Sequence, residues 1–182
     1  MRLRKFIPLL FIMAFTACFS EPKKLAEMEE YEGPILESEN VEIIMTEGSI
    51  RKLGIKGNKQ LTFSNGDLEF PETIRIDFFD SEGDTTSILT ALEGFYDAKT
   101  KLYRATGDVV VINLKENQTL KTEELFWNPN TERIYTDQFF IVTTETDLIQ
   151  GTGMDAPQDF SEFKVTNPKD TEFLIKETNE NN

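Results

Sequence analysis

The sequence predicts an all-β domain built of many short strands, and three observations carry that prediction. Residues 89–142 read as one hairpin module written twice, at an offset of 31 positions. From Asn40 onward, almost every segment alternates apolar with polar residues or carries a short β-rich run. Turn signals recur between those runs, and no long stretch keeps a helical period.

The repeat is specific in its detail. Shifting the second copy back places Leu89 on Leu120, Ala91 on Thr122, Phe95 on Phe126 and Tyr96 on Trp127. The same shift places Asp97 on Asn128, Thr100 on Thr131, Tyr103 on Ile134, Ala105 on Thr136, and the run Val109-Val110-Val111 on Phe140-Ile141-Val142. Each copy runs from apolar–x–small through two aromatics to an Asp or Asn that opens a turn, and closes on a β-branched or aromatic strand. That composition at this period fits stacked β-hairpins rather than paired helices.

In chain order, the expected strands are 41–46, 49–55, 60–64, 67–70, 73–79, 86–92, 94–97, 102–106, 109–114, 119–122, 125–128, 133–136, 138–143, 148–151, 153–156 and 160–166. Turn signals separate them at Glu47-Gly48, Lys56-Gly57-Asn58, Asn65-Gly66, Ser81 to Asp84, Gly107-Asp108, Lys115 to Asn117 and Asn128 to Asn130, with Asn65-Gly66 the clearest hairpin turn. Parity assigns faces: Ile74, Ile76 and Phe78 share one side against Arg75 and Asp77, and Leu120 and Thr122 share a face that Leu125 and Trp127 continue after a short corner. Ile50 and the pair Leu53 and Ile55 fall on opposite parities, which calls for a bulge. The runs 109–114 and 139–142 are apolar on both faces, a pattern of two-sided burial or of a face that meets a ligand or partner. Two such sheets stack about 10 Å apart; splayed, they leave an apolar trough.

The amino end reads as an export signal. Arg2, Arg4 and Lys5 precede an apolar run of 14 residues, Phe6–Phe19, too short to span a bilayer, which takes about 20 residues. Within it, Phe15-Thr16-Ala17-Cys18 resembles the lipobox of bacterial lipoproteins, with Phe15 where Leu is usual. The expectation is a signal peptide over 1–17, a lipidated Cys18, a flexible acidic tether over 18–39, a β-domain over 40–166 and a polar tail over 167–182, in which Phe173, Leu174 and Ile175 offer a last edge strand. The alternative is an ordinary signal peptide cut near Ala17, or a short anchor left uncut.

Composition narrows the chemistry. The chain carries 19 basic and 33 acidic residues, no histidine and one cysteine. Such a charge balance repels phosphate backbones, so nucleic acid is not an expected partner. The commonest general base and transition-metal ligand is missing, and one cysteine makes neither an intramolecular disulfide nor a cysteine-based zinc site. The acidic cluster Asp77, Asp80, Glu82 and Asp84 lacks calcium-loop spacing and reads as a solvated turn. No cofactor, metal site or catalytic residue is expected, and carboxylate pairs are too many to single out a hydrolase.

Three stretches then carry a family resemblance: Ala105-Thr106-Gly107-Asp108-Val109, Leu120-Lys121-Thr122-Glu123-Glu124-Leu125 ahead of Trp127, and Ile149 to Asp155 followed by Asp159-Phe160 and Phe163. Together with the repeated hairpin, over most of 33–166, they resemble LptC, the periplasmic component of lipopolysaccharide export. The resemblance implies an open, twisted β-jellyroll of two stacked antiparallel sheets after a lipoprotein signal. It implies a non-enzymatic protein of the periplasm that receives lipopolysaccharide from an inner-membrane ABC transporter and passes its acyl chains to an LptA-like bridge protein, pairing with neighbours through its sheet edges. Family members often keep an uncut membrane helix, and a lipid on the inner membrane takes its place here. The groove candidates are Ile74, Ile76, Phe78, Leu89, Ala91, Phe95, Val109, Val111, Leu120, Leu125, Trp127, Phe140 and Val142, with Gly151 and Gly153 as strand-bending glycines. For each apolar candidate the plain alternative is a core side chain; for the whole chain it is a lipid-anchored structural or adhesion domain that binds no small ligand.

The anchor has a direct test. Cys18→Ala should move the protein from the membrane to the soluble fraction on cell fractionation, and unchanged retention at the membrane would refute lipidation.

Overall fold

The computed structural model describes residues 31–169 and 172–173. The signal segment, Cys18 and most of the tether lie outside the described residues, as do Leu174 and Ile175.

The described chain is all-β, in eleven strands: β1 Leu36–Glu47, β2 Ile50–Thr62, β3 Leu68–Phe79, β4 Thr85–Ala91, β5 Glu93–Asp97, β6 Leu102–Asn113, β7 Gln118–Asn128, β8 Arg133–Thr143, β9 Asp147–Pro157, β10 Lys164–Pro168 and β11 Glu172–Phe173. All pair antiparallel in one sheet, in the order β1-β2-β3-β4-β6-β7-β8-β9-β10, with β5 between β3 and β6 and β11 on β9. β1 starts at Leu36, inside the stretch read as tether, and β10 and β11 carry the sheet past residue 166.

Most of the short strands expected from the sequence join in pairs into strands of 11 to 13 residues. Each join lies on one line across the sheet, and the line is a crease. Asn40 in β1, Thr73 in β3, Gly107 and Asp108 in β6 and Gly153 in β9 have positive φ, at 51°, 56°, 76°, 46° and 80°. The ladders slip register at Lys59/Leu61, Thr106/Val109, Thr122/Phe126 and Thr136/Phe139. Between β4 and β5 the chain breaks at Leu92, whose amide bonds Gly107 O and whose carbonyl accepts from Thr73 N. A bulge bends its strand and re-aims the residues beyond it, so a line of bulges folds the sheet. The residues that the sequence marked as turns at Lys56-Gly57-Asn58 and Gly107-Asp108 are these bends.

Each long strand therefore contributes to two layers. The front layer holds 59–62, 68–72, β5, 102–106, 124–128, 133–136 and 154–157; the back layer holds 50–57, 74–79, β4, 109–113, 118–122, 139–143 and 147–152. The two face each other: Phe78 of the back layer packs edge-on to Trp127 of the front, ring centroids 5.3 Å apart, although β3 and β7 are not neighbours in the sheet. The two stacked sheets of the sequence reading are two halves of one folded sheet.

The repeat persists in the register. In the first copy Leu89 faces Val111, Tyr96 faces Tyr103 and Asp97 faces Leu102; in the second, Leu120 faces Val142, Trp127 faces Ile134 and Asn128 faces Arg133. Every one of these pairs is carried onto the other by the same shift. The copies differ at the crease, where the first breaks into β4 and β5 and the second runs on through a bulge.

Gly151 shows how tightly the outer strands sit. A Cβ there would meet Val165 Cγ1 at 2.8 Å, the Asn167 carbonyl at 2.9 Å and Phe140 Cε1 at 3.1 Å. Gly151→Ala should destabilise the domain by about 1–3 kcal/mol through this overpacking. Urea unfolding would read the loss, and faster amide exchange in β10 would locate it.

Candidate functional site: the apolar interior and its mouth

Two cross-strand rows define the interior. In the back layer, Ile43, Ile55, Ile76, Leu89, Val111, Leu120, Val142 and Ile149 stand opposite one another on successive strands. In the front layer the row is Leu36, Thr62, Leu68, Tyr96, Tyr103, Trp127, Ile134 and Ala156. Side chains alternate across a strand, so each row lines a single face, and the two rows look at each other.

Burial is uneven along these rows. From Ile55 to Val142 the back row is sealed, while Ile43 and Ile149 at its ends are half-buried. Beside Ile43 on the same face, Met45 is 37% exposed. Twelve of the thirteen candidate residues (Ile74, Ile76, Phe78, Leu89, Ala91, Val109, Val111, Leu120, Leu125, Trp127, Phe140 and Val142) lie in this interior and are buried. They pack with Leu53, Ile55, Phe70, Tyr103, Ala105, Ile134, Met154, Ala156 and Phe160, none of which was a candidate from the sequence.

Phe95 departs from the other twelve. It stands opposite Glu69 and Arg104, on the outer face, with the Arg104 guanidinium 5.6 Å from its ring centre. Its neighbour Tyr96 points inward instead, because the break at Leu92 shifts the parity of β5. The repeat held the signal: Leu125 and Trp127, shifted back, fall on Gly94 and Tyr96. Gly94 is needed there, since a Cβ would come within 2.6 Å of Ile74 Cδ1. Of the two bending glycines, Gly153 sits on the crease with positive φ, while Gly151 allows β10 to approach.

Opposite the crease, the strand ends form a mouth closed by aromatics. Tyr96, Tyr103 and Trp127 pack in series as tilted pairs, ring centroids 4.6 and 4.7 Å apart, and Phe78 reaches Trp127 from the other layer. Burial, then the nearby Tyr96, pushes the Tyr103 phenol up to about 12. Beyond β9, residues 158–163 cross the mouth and place Phe160 in the core, stacked on Phe163.

The outer surface holds open clefts along the crease. One of about 590 Å3 is lined by Asn40, Asn58, Thr73, Leu92 and Asp108 among others. A second, of about 490 Å3, is lined by Val110, Lys121, Phe139 and Ile141, with Phe139 41% exposed. The runs that read as apolar on both faces thus put one face in the interior and the other on this surface. The acidic turn at 80–84 is organised by Asp80, which accepts from the Glu82 and Asp84 amides and from Lys115; the Lys115 ammonium, ahead of the amides, holds its carboxyl below the usual range.

A family model described as "LptC: Lipopolysaccharide-assembly, LptC-related" matches residues 21–167. No curated protein matches the chain.

The raised phenol fixes the alkaline behaviour. An unfolded tyrosine ionises near pH 10 and Tyr103 near 12, so Tyr103 leaves stability unchanged below about 10 and lowers it as pH rises to about 12, by roughly 3 kcal/mol at most. Denaturant titrations across that window should show Tyr103→Phe losing less stability than the native chain.

Proposed function

The chain belongs to the LptC-related lipopolysaccharide-assembly family, a membership that implies a role in lipopolysaccharide export, and from that premise we propose that it is a periplasmic lipid-transfer module without enzymatic activity. Its interior takes the acyl chains of lipopolysaccharide delivered by an inner-membrane ABC transporter and yields them to a bridge protein of similar fold. A lipid on Cys18 holds the module at the inner membrane.

The observation that carries this reading is the unbroken apolar row from Ile43 to Ile149. An acyl chain needs contact that is non-directional, so that it slides rather than locks; Ile, Leu and Val across eight strands supply it. With a formal net charge of −14 on the chain, attraction to an anionic lipid headgroup cannot drive binding, and apolar contact must, at roughly 25 cal/mol per Å2 buried.

The sheet edges supply the hand-over. Among the described residues, β1 and β10 each pair on one side only, which leaves backbone donors and acceptors for strand addition by a neighbour. β1 is long enough for this, and Glu37, Glu39, Glu42 and Glu47 along it discourage indiscriminate pairing.

One observation favours the second reading, a lipid-anchored structural or adhesion domain: the middle of the interior is packed shut. A photo-crosslinking amino acid in place of Leu120, in cells, separates the two. Lipopolysaccharide should be captured at Leu120 and not at Lys99 in an outer turn. Capture at neither position, with the protein folded, supports the structural domain and removes the transfer role.

A further inference from the structure

We propose that residues 158–163 form a latched strap over the mouth, and that the strap swings out to let an acyl chain into the interior. This rests on the transfer reading above and adds its entry point and control.

The chain leaves the front layer at Pro157, reaches the back layer, and returns to the front layer at Lys164, opposite Asp155. Three side chains tie the excursion down. Ser87 Oγ, on β4, donates to Gln158 O at 2.9 Å. Asn113 Nδ2, on β6, donates to Asp159 O and Phe160 O, both at 3.0 Å. Trp127 Nε1, in the front layer, donates to Gln158 Oε1 at 3.0 Å. The latch thus bridges both layers, and Ser87 and Asn113 are themselves buried.

These bonds answer to an element that is otherwise lightly attached. The other main-chain bonds of 158–160 are Gln158 N to Glu132 O and the turn bond Phe160 N to Pro157 O. Phe160 fills the core yet sits at φ 54°, a left-handed conformation that a bulky residue adopts at a cost of about 1–3 kcal/mol. Release relaxes that backbone while giving up one buried ring. The other strained positions on the crease, Asn40, Thr73 and Asp108, lie within paired strands instead.

Asn113 makes the latch answer to its surroundings. Its Oδ1 accepts from the Lys115 and Glu116 amides at 2.8 Å, which fixes the β6–β7 turn, while its Nδ2 holds the strap. Movement of that turn and release of the strap are therefore coupled through one side-chain amide.

Trp127 is the single tryptophan, so its indole N–H reports the strap without labelling. In the full chain, hydrogen exchange followed by NMR should find this proton about tenfold faster in Asn113→Ala, and in the milder Ser87→Ala, from the loss of one or two hydrogen bonds. The Val111 amide, deep in the sheet, should quicken far less. Equal acceleration of both protons would mean general loosening and would overturn the latch, as would no acceleration of the indole. A second variant, Ser87→Cys with Gln158→Cys, is taken forward once loss of free thiol on oxidation shows the bridge, and then holds the strap shut covalently. Capture of lipopolysaccharide at Leu120 should then fall about tenfold and return on reduction, and undiminished capture would overturn the strap as the entry. A chain with native Ser87 and Gln158 that captures nothing at Leu120 removes the transfer reading and the gate with it, whereas failure of the strap alone leaves that capture intact.

Discussion

Everything in this fold depends on the alignment of its bulges. A long antiparallel strand has no reason to stop at its middle, and eight or more such strands side by side make a broad twisted sheet with one apolar face open to water. Here most of the long strands carry an irregularity where their neighbours carry theirs; the slips at Met45/Thr46 and Phe78/Phe79 lie away from that line, toward the strand ends. Among the residues at positive φ, Asn40 and Thr73 flank Asn58 on its two sides, Thr73 reaches Gly107 through the break at Leu92, Gly107 with Asp108 faces the slip at Thr122/Phe126, and Gly153 faces the slip at Thr136/Phe139. The sheet can therefore fold on itself without losing its ladders, and its apolar face meets itself. A single misplaced bulge would flip one half-strand and send its apolar side chains to solvent.

That geometry decides where the interior can and cannot open. The crease is continuous backbone and stays shut. The two edges are graded, with Ile43, Met45 and Ile149 part exposed. The mouth lies between strand ends, where the layers share no main-chain ladder and closure depends on side chains: Phe78 against Trp127, the paired tyrosines, and Phe160 on its strap.

Much of this was legible in the sequence. The 31-residue repeat pointed to the hairpins, because a hairpin turn and its two strands are fixed by local spacing. The inward sets along 74–78 and 120–127 came from alternation; 109–111 and 140–142, apolar on both faces, gave groove candidates without a parity to orient them. Three things were not legible. Lys56-Gly57-Asn58 and Gly107-Asp108 signal a change of direction, and nothing local distinguishes a bend within a strand from a turn between strands; only the neighbours' bends, brought alongside by pairing, decide it. Phe95 and Tyr96 are adjacent aromatics, of which one must face out, and the parity is set by the break at Leu92. The strap reads as a last strand because Phe160, Phe163 and Val165 are apolar; its excursion depends on Ser87 and Asn113, more than forty residues away in sequence.

A packed interior and a transport role are reconciled by magnitudes. Exposing the sealed stretch of the back row, from Ile55 to Val142, would uncover six large apolar side chains at roughly 1.5–3 kcal/mol each. The total approaches the whole stability of a typical domain, about 5–15 kcal/mol, so the layers cannot part as rigid halves without unfolding. Freeing the strap is a smaller event: one buried aromatic and a few hydrogen bonds at about 1 kcal/mol each, offset in part by relaxation of Phe160. On the proposed transfer reading, an entering acyl chain replaces the apolar contacts that Phe160 gives up, and each further methylene it buries contributes about 0.8 kcal/mol toward parting the next pair of side chains. The interior is, on that proposed reading, a core that a fatty chain invades progressively from the mouth, with the lipid itself supplying the free energy that keeps it open.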